Sequence, residues 1–290
     1  MSLESGHHQT AVYGADSLLL QPGKLLLAIW HDVLACRQLA FILAVRDLRA
    51  QYRQSLFGIF WILAPPIIVA VGLTVAKKNN LIDLGDTKLP TLAFTLIGMS
   101  IWQMFATAVS GPLQVLGSYR SILTKVVVPP EAIIASSLVK LSITVVLQIV
   151  LIVFACIWFR LPVTGQTIFA LPAMVCVVLS GTAIGLILTP VGLLYRDIAL
   201  AIPIIEKGLL IVTPVLYTSN HLAPGGFFAT TVRLNPLGPL IETTRQLISG
   251  EHLTQLPQFF GVLGLMAILL VFGLIFVRVA MPLVIERWSA

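Results

Sequence analysis

Charge is what this sequence has least of. Asp, Glu, Lys and Arg make up 10% of its 290 residues, against 58% hydrophobic ones, where an ordinary soluble domain carries roughly one quarter charged residues. That balance excludes a soluble globular domain and implies an integral membrane protein. Cysteine is nearly absent as well. Cys36, Cys156 and Cys176 lie among apolar neighbours without metal-ligand spacing, so buried inert thiols are expected rather than a metal site or a disulfide. The sequence contains no G-x-x-x-x-G-K-[ST] phosphate loop, no H-E-x-x-H and no G-x-S-x-G, which removes the usual ATP cradle and two common hydrolytic centres. The apolar runs also lack the chains of carboxylates and histidines that a proton-coupled carrier needs. Asp47, Asp83, Asp86, Glu131 and Asp197 all fall at run ends or in loops.

What is present is a succession of apolar segments, each on the order of 20 residues and long enough to cross a hydrocarbon core. Runs such as "LSITVVLQIVLIVFACIWF" do not alternate, so the spans are helices rather than barrel strands. The expected fold is an all-α membrane protein with about six spans, near 56–76, 91–113, 132–159, 167–192, 198–217 and 259–277, and both termini cytosolic. Residues 1–22 read as a mobile cytosolic tail. Residues 23–55 form an interfacial helix with a basic entry segment, in which Leu26, Ile29, Trp30, Val33 and Leu34 recur at helical spacing. Residues 56–290 form the membrane domain. No cleavable leader is expected ahead of the first span, which is expected to act as its own targeting signal.

Several details carry structural expectations. Pro65 and Pro66 are expected to kink the first span. Gly181 and Gly185 permit close helix approach. Lys140, near the start of its span, reads as a side chain reaching the cytosolic interface. The segment "RLNPLGPLIETTRQLI" is too polar to span and too apolar in pieces for a free loop, so short re-entrant or interfacial helices are expected before the last span. The formal net charge of +6 reflects topology rather than nucleic-acid binding. Lys24, Arg37, Arg46, Arg49, Arg53, Arg120, Lys125, Arg196, Arg278 and Arg287 fall on the inner side. Lys77, Lys78, Lys88, Arg160, Arg233 and Arg245 fall on the outer.

The stretches "RDLRAQYRQSLFGIFWILAPP", "LTKVVVPPE", "YRDI", "TPVLYTSN" and "RLNPLGPLIETTRQLI", in that order, resemble the signatures of the ABC-2 type permease subunit of polysaccharide exporters, the group that exports O-antigen, capsule and teichoic acid. The resemblance covers about Lys24 to Ala290. It departs mildly at Gln51, where a further base is common, and at Pro129, which a second proline follows. The resemblance implies a multi-pass protein of the bacterial inner membrane, working as a homodimer with two copies of a separate cytosolic ATPase that binds ATP and Mg; this chain needs no cofactor of its own. It places coupling helices around Ser121–Val128 and Tyr195–Ala199, with Arg120, Lys125, Arg196 and Asp197 as charged contacts.

Arg46, Arg49 and Arg53 then stand at a gate, where they are expected to attract the diphosphate of an undecaprenyl-linked glycan; positive-inside anchoring accounts for the same arginines. Phe57, Trp61, Phe94, Trp102, Phe105 and Tyr217, with Phe227 and Phe228, are candidate aromatic surfaces for a sliding sugar chain, with aromatic belts and helix packing as the alternative. An ABC-2 exporter of another hydrophobic or lipid cargo is the alternative within the class. Outside it stand an ATPase-independent secondary transporter, for which only Lys140 or Glu206 offers a coupling residue, and a membrane-embedded transferase, for which no polar catalytic cluster is evident.

Overall fold

The computed structural model describes residues 35–82, 85, 89–123, 130–162, 164–218 and 226–289. In chain order the helices longer than a single turn are α1 (Arg37–Tyr52), α2 (Ala64–Lys78), α3 (Thr91–Ser118), α4 (Pro130–Trp158), α5 (Ala170–Leu194), α6 (Arg196–Val212), α7 (Phe227–Leu234), α8 (Leu237–Ser249) and α9 (Leu256–Ser289), and a single helical turn, Arg120–Leu123, follows α3. A 3-10 turn, Gly58–Leu63, leads into α2, and a second, Gly165–Phe169, leads into α5. No strand occurs among the described residues. Hydrocarbon offers no hydrogen bonds, and a helix satisfies its peptide groups within one segment.

Among the described residues, five helices are long and apolar enough to cross a membrane: Gly58–Lys78, Thr91–Ser118, Ala132–Trp158, Gly165–Leu194 and Leu256–Trp288. At the span expected near 198–217 stands the 17-residue α6, about 25 Å long at 1.5 Å per residue, at the short end of the roughly 17–25 residues that cross a bilayer core. It carries Asp197, Glu206 and Lys207 and gives way at Thr213 to a turn containing Pro214. Two helices outrun their expected ends. α3 continues through Pro112 to Ser118, and α9 through Pro282 to Ser289.

The double proline does not bend the first span. Pro65 and Pro66 sit in the first turn of α2, where a helix has no internal use for their missing N–H groups. The 3-10 turn ahead of them begins at Gly58, with a φ of +53°.

α3 is the axis of the bundle. In its apolar window 83% of residues are buried, against 11% in the first crossing, so α3 is core while α2 shows most of its surface to the surroundings. α2, α4 and α5 all pack on α3, and α9 packs on α5. The close approach expected of Gly181 and Gly185 is found between α5 and α3: a Cβ on either would meet α3 carbonyl oxygens at 2.6 and 2.5 Å. α1 lies on α4 through Ala40 and Ala44, both buried and one turn apart. Leu39, Phe41 and Ile42 of α1 are exposed, as suits a helix in the membrane interface. Residues 1–34, including the tail and the first part of the expected interfacial helix, lie outside the described residues.

Before the last span, α7 and α8 are the short helices expected there. α8 is buried along its whole length and packs on α3, α5 and α9. Asn235 sets the corner before it, its Nδ2 donating to Thr213 Oγ1 at 2.8 Å while its Oδ1 accepts from the Leu237 N–H at 3.0 Å. Gly250, with a φ of +72°, closes the helix as a left-handed cap.

Candidate functional site

α1, α3 and α4 meet where α3 ends, and Asp47 is the node. Lys140 Nζ of α4 donates to Asp47 Oδ2 at 2.7 Å. The Tyr119 hydroxyl, just past α3, donates to Oδ1 at 2.9 Å. Arg46 Nη2 donates to Tyr119 Oη at 2.8 Å and to Asp47 Oδ1 at 3.1 Å, with the guanidinium 5.2 Å from the Tyr119 ring centroid. Two cations and one anion leave the cluster a single positive charge.

Burial pushes the Asp47 carboxyl up, but the hydrogen bonds from Lys140, Tyr119 and Arg46 outweigh it, and the group titrates below the usual carboxylate range. Burial, followed by the bond to Asp47, pushes the Tyr119 phenol up to about 12. At neutral pH the carboxylate is therefore charged and the phenol neutral. Asp47 and Lys140 side chains are 16 and 21% exposed, enough burial for the pair to hold α1 against α4.

Asp47→Asn and Lys140→Gln are each expected to cost about 1–3 kcal/mol, because each strands a partly buried charge or its partner. The double variant should lose little more than the worse single one; thermal unfolding in detergent measures all three. Because the folded pKa of Asp47 is depressed, its contribution is complete above the unfolded value of about 3.9 and disappears as pH falls through the lower folded value.

Beside this node lies a cavity of about 430 Å³ between α1, the first 3-10 turn, α3 and α4, lined among others by Gln51, Trp61, Gln103, Gln114 and Lys140. Its volume falls within the range of about 300–1,000 Å³ usual for small-ligand sites.

The end of the molecule that holds Asp47 also gathers other bases. Arg120 lies over Trp288 at 5.2 Å and Arg287 over Tyr195 at 5.7 Å, so the two turns expected to meet an ATPase both touch the end of α9. Arg196 and Asp197 are exposed in the first turn of α6. Lys125 lies outside the described residues. Of the three gate arginines, Arg46 is engaged in the Asp47 cluster, while Arg49 and Arg53 are exposed.

The aromatic candidates separate into three places. Phe57 and Trp61 are exposed and pair edge to face at 5.7 Å; Trp61 walls the cavity. Phe94, Trp102 and Phe105 lie inside the core, at 6, 4 and 2% exposure, and so do not form an open sugar track along α3. Their burial follows from α3 being surrounded by its neighbours. Tyr217 donates its hydroxyl to the Ile211 carbonyl at 3.0 Å, closing the end of α6, and stands 6.0 Å from Phe228. Phe227 is exposed.

Arg245, counted from the sequence among the outer-side charges, is buried in α8, its guanidinium 3.8 Å over the Phe94 ring. The Asp47–Lys140 pair was also missed, although a lone lysine inside an apolar span calls for a partner.

The ABC-2 type transporter family model matches residues 38–249 of the chain. An O-antigen export system permease protein of Myxococcus xanthus is 26% identical over 239 residues, covering 80% of this chain and 87% of that protein. Two O-antigen export system permease proteins of Klebsiella pneumoniae are 22 and 23% identical, each covering 72% of this chain and 79% of its own length.

Proposed function

The chain belongs to the ABC-2 type transporter family, and from that premise we propose that it is the permease subunit of an exporter that carries undecaprenyl-linked polysaccharide, O-antigen or a similar surface glycan, across the bacterial inner membrane. It is a multi-pass inner-membrane protein and a transport subunit whose ATPase is a separate protein. The observation that carries the cargo is the alignment of O-antigen permeases over most of the chain.

In this reading two copies of the chain enclose the path, and two copies of the ATPase, holding ATP and Mg, drive it. The apolar side chains that α2 and α6 expose, among them Ile68, Val71, Leu200 and Ile204, suit a second copy as well as lipid. Arg120, Arg196 and Asp197 would receive the ATPase at the basic end. Arg49 and Arg53, exposed at the entry segment, would meet the lipid diphosphate, while Arg46 steadies α1 through Asp47 and Tyr119. The chain makes and breaks no covalent bond in this scheme. Its work is to offer a path whose closure alternates with the ATPase cycle.

The experiment that tests this follows surface polysaccharide in a host strain deleted for the gene. Loss of the polysaccharide, with recovery from the intact gene, is expected. Unchanged surface polysaccharide in a strain without a redundant exporter contradicts the reading.

A further inference from the structure

The cavity beside Asp47 has a chemistry that neither the gate nor the ATPase contacts use. On α3, Gln103, Thr107, Gly111, Gln114 and Ser118 follow one another at spacings of four, four, three and four residues, so they share one helical face. All five line the cavity. The stripe extends about 22 Å at 1.5 Å per residue. Thr144 of α4 and Gln51 of α1 face it across the same space.

Gln51 and Gln114 are exposed, Gln103 and Thr107 half-buried and Thr144 buried, and the side chains of all five make no hydrogen bond to any described residue. Their hydrogen-bonding groups are therefore open to whatever polar molecule fills the cavity. The ligand should be uncharged. Lys140 is the one charged residue in the lining, and Asp47 already holds it at 2.7 Å. A carboxamide donates and accepts at once, which matches neighbouring hydroxyls on a ring. Trp61 and Tyr52 in the wall supply apolar faces for its C–H groups.

We propose that this cavity is a saccharide subsite, in which each copy of the chain holds a neutral sugar ring of the passing glycan between the α3 stripe and Trp61. The proposal rests on the glycan-export reading and gives that reading a place of contact. Because the groups touch hydroxyls rather than the lipid diphosphate, they act on the chain of sugars during passage, after the gate arginines have acted.

Gly111 makes the subsite testable. A Cβ built there meets nothing within 4 Å, so a larger side chain enters the cavity without displacing backbone. In the host strain, Gly111→Ala and Gly111→Leu should lower surface polysaccharide in step with side-chain size. The full-length permease, purified with its ATPase, should bind oligosaccharide released from the host's own surface polysaccharide. Gly111→Leu and the double variant Gln103→Leu/Gln114→Leu should weaken that binding about tenfold or more, the equivalent of one or two lost hydrogen bonds. Gly261→Leu, in open space on α9, serves as the control for an added side chain.

Wild-type oligosaccharide binding and export in Gly111→Leu and in the double variant, at normal membrane levels, would overturn the subsite. So would a phospholipid recovered with the wild-type protein and lost from Gly111→Leu while oligosaccharide affinity stays the same. If gene deletion leaves surface polysaccharide unchanged, the export reading fails first; if deletion abolishes export and the cavity variants do not impair it, the subsite alone fails.

Discussion

Gly185→Leu is expected to leave no folded permease in the membrane, and Gly185→Ala to lower stability by about 1–3 kcal/mol, the usual cost of overpacking. A Cβ at Gly185 would lie 2.5 Å from the Val109 carbonyl oxygen and 2.7 Å from that of Ala108; one at Gly181 would lie 2.6 Å from the Phe105 oxygen. These neighbours are backbone atoms of a core helix and cannot rotate aside. The four-residue spacing puts both glycines on one face of α5, and that face is where α5 meets α3.

Pro112 gives this contact a reason beyond shape. It has no N–H to donate to the Ala108 carbonyl one turn back, so that oxygen is left for the Cα–H groups of α5 to approach, a weak but recurring contact between closely packed helices. Gly72→Ala and Gly261→Ala form the contrast. Nothing lies within 4 Å of a Cβ at either position, and a helical glycine replaced by alanine where there is room gains roughly 0.5–1 kcal/mol. Membrane levels read Gly185→Leu, and thermal unfolding in detergent, with the monodisperse fraction after heating, reads the three alanine variants. Equal stability of Gly185→Ala and Gly261→Ala would show that the α3–α5 contact is looser than described.

Arg245→Leu is expected to destabilise the protein by about 2–4 kcal/mol, from unsatisfied buried carbonyls. Arg245 Nη1 donates to the Pro214 carbonyl at 3.2 Å and the Val215 carbonyl at 3.3 Å. Both carbonyls lie in the turn after α6, beyond the reach of the helix's own hydrogen bonds. The end of a helix also favours a cation, and the Phe94 ring takes the face of the guanidinium. One side chain thus joins α8, the end of α6 and the start of α3. Arg245→Lys keeps the charge but lacks the planar fork, so it should recover only part of the loss. Gly98→Ala strains the same turn from the other side, since its Cβ would meet the Val215 oxygen at 2.6 Å. Combining Gly98→Ala with Arg245→Leu should therefore cost less than the sum of the two. A strictly additive result would separate the two contacts.

These residues show which parts of the molecule the sequence made legible. Helical spans follow from run length and hydropathy, which are local, and α2 to α5 lie close to where they were expected. The glycine spacing on α5 was readable because a four-residue repeat defines a face without reference to the rest of the fold. Asp47 and Lys140 are 93 residues apart, and no periodicity joins them; each alone looked like an ordinary span-end charge. Arg245 was counted with the outer-side charges, within the short helices expected there, and only packing of α8 on three helices shows that its side chain is buried. Phe94, Trp102 and Phe105 share one side of α3, as the spacing suggested, but a shared side does not say whether that side meets a path or a neighbouring helix. The polar stripe from Gln103 to Ser118 was open to the same spacing argument. It passed unread because its members are scattered singly among apolar residues.

The measurement that bears most directly on the central claim is made in the deletion strain, by quantifying lipid-linked glycan inside the cell together with polysaccharide on the surface. Export by this permease predicts that the surface pool disappears while the internal lipid-linked pool grows, and that the intact gene reverses both. Loss of both pools would place the chain in synthesis rather than transport, and unchanged pools would assign it another cargo; either result would contradict the account.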